Sequence, residues 1–251
     1  MSLLTILLLF LAGFAAAAIN AVAGGGTFIS FGALSLIGVP PISANATSSI
    51  VHLPGYFTST LPYLKDIRTI WRGIAVLAAV SIVGSLCGAM LLLWLNNAQF
   101  AAAVPWLLLG ATALFAAGPL LKPTPREAGS RSEKRGVAAP LMQFVTSIYG
   151  GFFGAGMGIM MLATLGLTDS GDYHRLNAIK NVLANVIAVV AIVVFVSGGV
   201  VNWPGALAMV PGVALGGYSG VWIAKRVPQI AVRSFVIAVG LFLAGYYFAK
   251  G

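Results

Sequence analysis

Apolar stretches of roughly 20 residues recur along the whole chain, and they restrict its fold more than any other feature. Each is long enough to cross about 30 Å of hydrocarbon as a helix. Barrel strands are excluded, because they would alternate polar and apolar residues over about 10 positions. In lipid, helices are then the only remaining way to pair every backbone N–H and C=O group. The sequence therefore predicts an all-α integral membrane protein.

The charge and cysteine content of the sequence further restrict the class of protein. Only 8% of the residues are charged, too few for the surface of a soluble domain of this size. The net charge of +9 sits in short clusters between apolar stretches, without the interleaved aromatics of a nucleic-acid surface. These clusters indicate membrane topology, and no nucleic-acid partner is predicted. The lone Cys87 rules out an intrachain disulfide, and neither a cofactor nor a metal site is predicted. An oligomer is possible, but the sequence does not specify one.

The chain aligns with itself when it is shifted by 132 residues. Asn45 then meets Asn177, and Trp71 meets Trp203, among many less informative glycine and alanine matches. Such a repeat predicts two related halves, residues 1–118 and 138–251, joined by a basic linker at 119–137. The first 23 residues resemble a signal peptide, but no Lys or Arg precedes their apolar run. The internal repeat also includes the end of this stretch. We therefore expect that stretch to be retained.

Each half consists of one long apolar segment interrupted by glycines, followed by three ordinary ones. The predicted segments are 3–38, 42–63, 73–95 and 99–118 in the first half, and 138–168, 176–198, 205–223 and 230–249 in the second.

Basic residues favour one topology for these segments. If each interrupted segment enters the membrane and returns, all fourteen Lys and Arg except Lys250 become cytoplasmic. Both termini are then external, the linker is cytoplasmic, and the second half is inverted relative to the first, as in many transporters. The alternative is eight simple crossings in a parallel repeat. The stretch 3–23 favours it, because that stretch can span a bilayer alone.

Two glycine-rich motifs carry a family resemblance. The first is Asn20-Ala-Val-Ala-Gly-Gly-Gly-Thr27 followed by Ser43-Ala-Asn-Ala-Thr47, and the second is Gly150-Gly-Phe-Phe-Gly-Ala-Gly-Met-Gly158 followed by Asn177-Ala-Ile-Lys-Asn181. The chain resembles the TauE/SafE family of anion exporters and permeases over its whole length. This resemblance implies a transmembrane protein of the bacterial inner membrane that moves sulfite, sulfonates or related sulfur-containing anions.

The glycine runs are the first candidates for an anion site. Glycine costs about 1 kcal/mol relative to alanine inside a helix, so such runs favour helix breaks. A helix that starts after a break presents free N–H groups and a positive dipole end to an anion. The alternative is close helix packing, which we favour for the pairs Gly84/Gly88 and Gly216/Gly220. The candidate glycines are Gly24, Gly25, Gly26, Gly154, Gly156 and Gly158.

Polar side chains follow each break. Amides and hydroxyls offer the several donors that three sulfonate oxygens need. The alternative for these residues is interhelical hydrogen bonding without substrate. For Lys180, the alternative is that its side chain extends to the membrane surface. A lone histidine such as His52 is more often a buried hydrogen bonder. The candidates are Asn45, Ser48, Ser49, His52, Asn177, Lys180 and Asn181, and the first motif of the resemblance adds Asn20 and Thr27.

The acidic residues lie only in predicted loops, at Asp66, Glu127, Glu133, Asp169 and Asp172. Without a carboxylate inside the membrane, cation transport and a carboxylate proton relay are disfavoured. An anion transporter working by alternating access between the halves is the leading hypothesis, with an anion channel or a non-transporting assembly subunit as alternatives. An enzyme is the weakest hypothesis, since its only serine–histidine candidates are His52 with Ser30 or Ser219.

Overall fold

In the computed structural model, residues 1–23, 25–117, 138–169, 173–224 and 228–250 are described. They form ten α-helices and one 3₁₀ turn (Leu61–Tyr63), with no strand among them. The protein is an all-α membrane protein, as the sequence predicts. The helices are α1 (Leu3–Ala23), α2 (Gly26–Leu36), α3 (Pro41–Thr60), α4 (Leu64–Trp94), α5 (Asn97–Ala117), α6 (Ala138–Phe152), α7 (Met157–Thr168), α8 (Tyr173–Ser197), α9 (Trp203–Ala224) and α10 (Gln229–Lys250).

Five helices are long and apolar enough to cross a membrane: α1, α4, α5, α8 and α10. The apolar helices α2 and α7 have only 11 and 12 residues. About 20 residues are needed to span the hydrocarbon, so neither crosses it alone. Helix α4 begins nine residues before the predicted segment 73–95, because the basic stretch that precedes this segment is helical too.

Glycine interrupts both long apolar segments, which confirms the predicted breaks. Gly25 caps the start of α2 with φ 84°, and Gly156 caps the start of α7 with φ 77°. Side chains other than glycine are strained in this left-handed region. Gly158 lies inside α7 and so takes no part in the break, while Gly24 lies outside the described residues.

The chain folds back on itself at each break. A Cβ on Gly26 would lie 2.8 Å from the Cβ of Asn20 and would collide with the carbonyl oxygen of Ala16. In a continuous helix, residues ten positions apart are separated by about 15 Å. Helix α2 therefore packs against α1. In the second half, the side chain of Met157 fills the space where Gly150 lacks a Cβ, so α7 likewise begins against α6.

Glycines also allow two close helix–helix seams. Between α4 and α6, a Cβ on Gly84 would lie 2.8 Å from the Cβ of Ser147, and one on Gly88 would lie 2.9 Å from the Phe152 nitrogen. Between α1 and α9, a Cβ on Gly216 would lie 2.8 Å from the Phe14 Cα. The packing role expected for these three glycines is confirmed. The surroundings of Gly220 lie outside the described part of the chain.

Helices α5 and α10 pack side by side in opposite directions. Thr112 faces Gly240 near the middle of the contact. Toward the start of α5, the rings of Trp106 and Phe248 meet edge to face, with centroids 5.3 Å apart. Toward the end of α5, the Arg233 guanidinium donates a hydrogen bond to the carbonyl of Ala116 at 2.9 Å. Because residue numbers rise along one helix as they fall along the other, the pair is antiparallel.

Candidate functional site

A small cavity lies where the first turn of α2 meets the loop before α7. Its volume is about 20 Å³, which is room for roughly one water molecule. Side chains from α3 and α5 complete the wall. The cavity is lined by Thr27, Phe28, Phe31, Asn45, Ser48, Ser49, Tyr56, Leu108, Phe153, Gly154 and Ala155. It is therefore built from both halves of the chain and from both helix breaks.

Five of the predicted site residues border this cavity: Thr27, Asn45, Ser48, Ser49 and Gly154. Sequence reasoning missed its apolar and aromatic wall. An aromatic pair inside the second glycine run, Phe152-Phe153, was an available signal, because a bulky side chain among glycines must occupy space that the glycines leave. Leu108 and Tyr56 carried no signal that distinguished them from other apolar and aromatic residues of this chain.

The polar groups of the cavity are hydrogen-bonded to backbone carbonyls. The Asn45 amide nitrogen donates to the Phe152 carbonyl at 3.0 Å and so joins the two halves. The Ser49 hydroxyl donates to the Asn45 carbonyl at 3.1 Å. The Ser48 hydroxyl donates to the Thr27 carbonyl at 3.5 Å, which is long for a hydrogen bond. Of these donors, Ser48 can turn toward a ligand at the lowest cost.

Aromatic rings hold the second break in place. The Phe153 ring meets the Phe31 ring edge to face, with centroids 5.6 Å apart, and it also meets the Tyr149 ring at 6.4 Å. The Tyr149 hydroxyl donates to the Ala155 carbonyl at 2.5 Å. The loop before α7 is thus fixed from both sides, and it positions Gly154 at the cavity.

The polar residues of α8 lie in a second cluster that does not line the cavity. The Lys180 ammonium donates to the Asn177 side-chain oxygen at 3.2 Å. The Asn181 amide donates to the Ser59 carbonyl at 2.8 Å, which ties α8 to the end of α3. Lys180 also passes Gly158, where a Cβ would lie 3.9 Å from the lysine Cδ. The predicted residues of α8 are therefore separated from the cavity that Asn45 borders.

Asn185 connects the two clusters, although it is not a predicted site residue. Its amide donates to the Tyr56 carbonyl at 2.8 Å and to the Thr60 hydroxyl at 2.7 Å. Tyr56 also borders the cavity. Within the described chain, the buried Oδ1 of Asn185 has no hydrogen-bond partner. Asn181 bonds Ser59 near the end of α3, whereas the backbone N–H of Asn202, beyond the end of α8, bonds the Thr47 hydroxyl near the start of α3, so α3 and α8 run antiparallel.

His52 is a buried hydrogen bonder. Its Nε2 lies 2.6 Å from the Ser30 hydroxyl, which itself donates to the Gly26 carbonyl at 3.2 Å. Ser30 is 0% exposed and His52 2% exposed, and neither borders the cavity. Ser219, the other serine considered with His52, donates instead to the Leu215 carbonyl of its own helix. The Ser30–His52 pair fastens α2 to α3 and offers no access to a substrate.

The other predicted residues surround the breaks as packing elements. A Cβ on Gly25 would lie 2.8 Å from a Val236 methyl, and one on Gly156 would lie 3.4 Å from the Ala111 Cβ. Asn20 packs its Cβ beside Gly26, as described above. None of these four borders the cavity, so they shape the breaks around it.

An all-helical chain with five helices suited to crossing a bilayer is a multi-pass membrane protein. The family model "Sulfite exporter TauE/SafE" matches residues 9–247. The chain belongs to this family, and it is a membrane transporter.

Relatives with similar sequences carry matching names. A "Probable membrane transporter protein" of Haemophilus influenzae is 27% identical, over 94% of this chain and 91% of that protein. A "Probable membrane transporter protein ORF9" of Sinorhizobium sp is 27% identical, over 94% of this chain and 89% of its own length. "Probable membrane transporter protein YfcA" of Escherichia coli K12 is 23% identical, over 92% of this chain and 85% of its own length. No solved structure matches the chain.

Proposed function

We propose that the chain transports small sulfur-containing anions, such as sulfite or organosulfonates, by alternating access between its two halves. The observation that carries this proposal is the cavity between the two helix breaks. Hydroxyl and amide groups of Ser48, Ser49 and Asn45 border it, and no carboxylate does. Such groups can donate several hydrogen bonds to an oxyanion and add no opposing charge. The family name points to the same substrate class.

The proposal requires the cavity to open. A volume of about 20 Å³ holds a water molecule but no sulfite or sulfonate ion. In this proposal the wall of the cavity therefore separates before an anion binds. In the proposed cycle, Ser48 and Asn45 exchange their backbone carbonyl partners for substrate oxygens when the wall separates.

Helix bounds support the proposed division into halves 1–118 and 138–251, with 119–137 as linker. The ends of α2 and α7, the starts of α3 and α8, and the starts of α5 and α10 are each 132 residues apart. The equivalent pairs α3/α8 and α5/α10 run antiparallel. Antiparallel equivalents are what an inverted repeat produces.

Clustered basic residues support the proposed orientation in the bacterial inner membrane. Arg68 and Arg72 of α4 and Arg175 of α8 border one pocket, so they share one end of the helix bundle. Arg233 binds the end of α5, beside the start of the basic linker. If this end is cytoplasmic, the C-terminus is external, because Lys250 lies at the other end of α10 from Arg233. The N-terminus is external too if α1 and α2 enter the membrane and return.

An anion channel with the same site is the second candidate. Transport measurements in proteoliposomes separate the two, because a channel conducts far faster than a carrier that changes conformation for each ion. A non-transporting assembly subunit would not respond to anions at all. Membership of a transporter family suggests that the chain is not an enzyme.

The test measures thermal stabilisation of the purified protein by sulfite, thiosulfate, taurine, sulfoacetate, sulfate and simple carboxylates. A ligand at a hundred times its dissociation constant stabilises by about 2.7 kcal/mol. We expect Asn45→Ala to abolish the response to one sulfur-containing anion. Asn181→Ala is the matched control, since Asn181 is also buried and also bonds a carbonyl across helices, but outside the cavity.

Two results would contradict the proposal. If no sulfur-containing anion stabilises the wild type or crosses a proteoliposome membrane, the substrate class is wrong. If Asn181→Ala loses the response and Asn45→Ala retains it, the binding site is the α8 cluster with Lys180, and the cavity is a packing defect.

A further inference from the structure

A second pocket lies at the end of the bundle where α3 passes into α4. Its volume is about 450 Å³, far larger than the central cavity. Three arginines border it: Arg68 and Arg72 from α4, and Arg175 from α8. The hydroxyl-bearing Thr69 and the indole-bearing Trp71 complete its polar wall. The pocket is therefore wide, open and strongly basic.

The arginines concentrate positive charge at this end of the bundle. Arg68 and Arg72 are four residues apart on one helix, an arrangement in which like charges repel. Arg175 pairs with Asp169 through its Nε at 3.2 Å, and Asp66 lies on α4 before Arg68. Among the described residues of this region, Lys65 and the three arginines therefore stand beside two acids, Asp66 and Asp169. An anion in the pocket would relieve this repulsion, and arginine binds phosphate with two parallel hydrogen bonds.

An exposed apolar stripe continues from the arginines along the same face of α4. From Arg72 it passes through Val76, Ala79 and Val83, at spacings of four, three and four residues. The valines are 58% and 54% exposed, and the alanine is exposed as well. The stripe is uncovered within the described chain, as expected of a lipid-facing surface.

Trp71 marks the level of the membrane surface. Its side chain is 58% exposed, and the Arg72 guanidinium lies 5.7 Å from its ring. Exposed tryptophans beside charged groups are typical of the headgroup region of a bilayer. The basic pocket is then at headgroup depth, and the stripe is at acyl-chain depth.

We propose that this pocket binds the phosphate group of an anionic phospholipid, whose acyl chains lie along the stripe from Val76 to Val83. A free phosphate or sulfate ion would contact the arginines alone, whereas a phospholipid bound through its phosphate would also cover the stripe. The site is distinct from the central cavity, so the proposal does not depend on which anion the protein transports.

Native mass spectrometry of the full chain in detergent tests this. The probes are phosphatidylglycerol, phosphatidylcholine and inorganic phosphate, each added separately. We expect selective retention of phosphatidylglycerol, weakened about 30-fold in the double variant Arg68→Gln/Arg72→Gln, as for the loss of two basic residues at an anionic membrane surface. Lys250→Gln is the control for losing a positive charge away from the pocket, since Lys250 is exposed in the last turn of α10 and does not border the pocket. It is expected to retain the lipid like the wild type.

A second measurement needs no variant. Raising NaCl from 50 to 500 mM is expected to reduce phosphatidylglycerol retention by the wild type, because salt screens exposed charges. Equal retention of phosphatidylcholine, or unchanged retention by the double variant, would overturn the lipid site. Binding of inorganic phosphate that displaces no lipid would make the pocket a free-anion site instead. A dimer that dissociates in the double variant would make it an interface between two copies.

Discussion

The α1–α9 seam offers a sharp test of the packing, through two adjacent glycines of α9. At Gly216, a Cβ would lie 2.8 Å from the Phe14 Cα and would collide with the Phe14 carbonyl. At Gly217, a Cβ would meet nothing within 4 Å. Each glycine-to-alanine exchange raises helix propensity by about 1 kcal/mol, so that gain cancels when the two variants are compared.

What remains in the comparison is the steric cost at the seam. Forcing a methyl group into a well-packed contact costs about 1–3 kcal/mol, because backbone atoms of Phe14 cannot turn away as a side chain can. We therefore expect Gly216→Ala to be less stable than Gly217→Ala by about 1–3 kcal/mol. The free energy of unfolding of Gly217→Ala is expected to equal or exceed that of the wild type.

Reversible unfolding in mixed micelles, titrated with sodium dodecyl sulfate and followed by tryptophan fluorescence, measures the free energy of unfolding for all three proteins. Size-exclusion chromatography checks that each variant is folded before the titration. Equal stability of the two variants would refute the close approach of α1 and α9. It would also remove the argument that Gly216 serves packing.

Three further predictions use the same titration. Gly154→Ala is expected to lower the free energy of unfolding by about 1–2 kcal/mol, because Gly154 has φ 75°. Gly110→Ala, in helical backbone with no neighbour within 4 Å, is expected to cause no loss. Equal losses would contradict the backbone conformation of the second break. Ser30→Ala is expected to lower the free energy of unfolding by about 0.6–1.7 kcal/mol, because His52 loses its hydrogen-bond partner inside the membrane. An unchanged free energy of unfolding would contradict the hydrogen bond. Gln143→Leu is expected to change stability by less than about 1 kcal/mol, because it removes two hydrogen bonds from the amide nitrogen, to Ser81 and Ser147, but also a buried Oε1 without a partner in the described chain. A larger loss would show that the two hydrogen bonds outweigh the buried oxygen.

Helix number and helix breaks were accessible from the sequence, for two physical reasons. Lipid requires about 20 apolar residues per crossing, and glycine runs weaken a helix enough to show where it stops. The start of α4 could not be predicted from the sequence. Lysine, aspartate and arginine are compatible with a helix, and their polarity marks only the edge of the membrane. The helix therefore extends from the apolar segment back to Leu64.

The choice between the two polar clusters was beyond the sequence. The repeat makes Asn45 and Asn177 equivalent in position, yet only Asn45 borders the cavity. The difference arises from packing, since the α8 amide of Asn181 bonds the end of α3. Such a contact joins residues more than a hundred positions apart, and no local pattern encodes it. In the aromatic wall, only the position of Phe153 inside a glycine run distinguishes it, because apolar residues are abundant throughout a membrane protein.

The two glycine seams restrict how the proposed transport cycle can work. Helix α1 of the first half packs on α9 of the second, and α4 of the first packs on α6 of the second. Because both seams join backbone to backbone, separating the halves as two rigid bodies would break them both. The contacts around the cavity are weaker, with the 3.5 Å hydrogen bond of Ser48 and the single amide bond of Asn45. A cycle that opens the cavity would therefore move α3, which carries Ser48 and Asn45, and leave α1–α9 and α4–α6 intact.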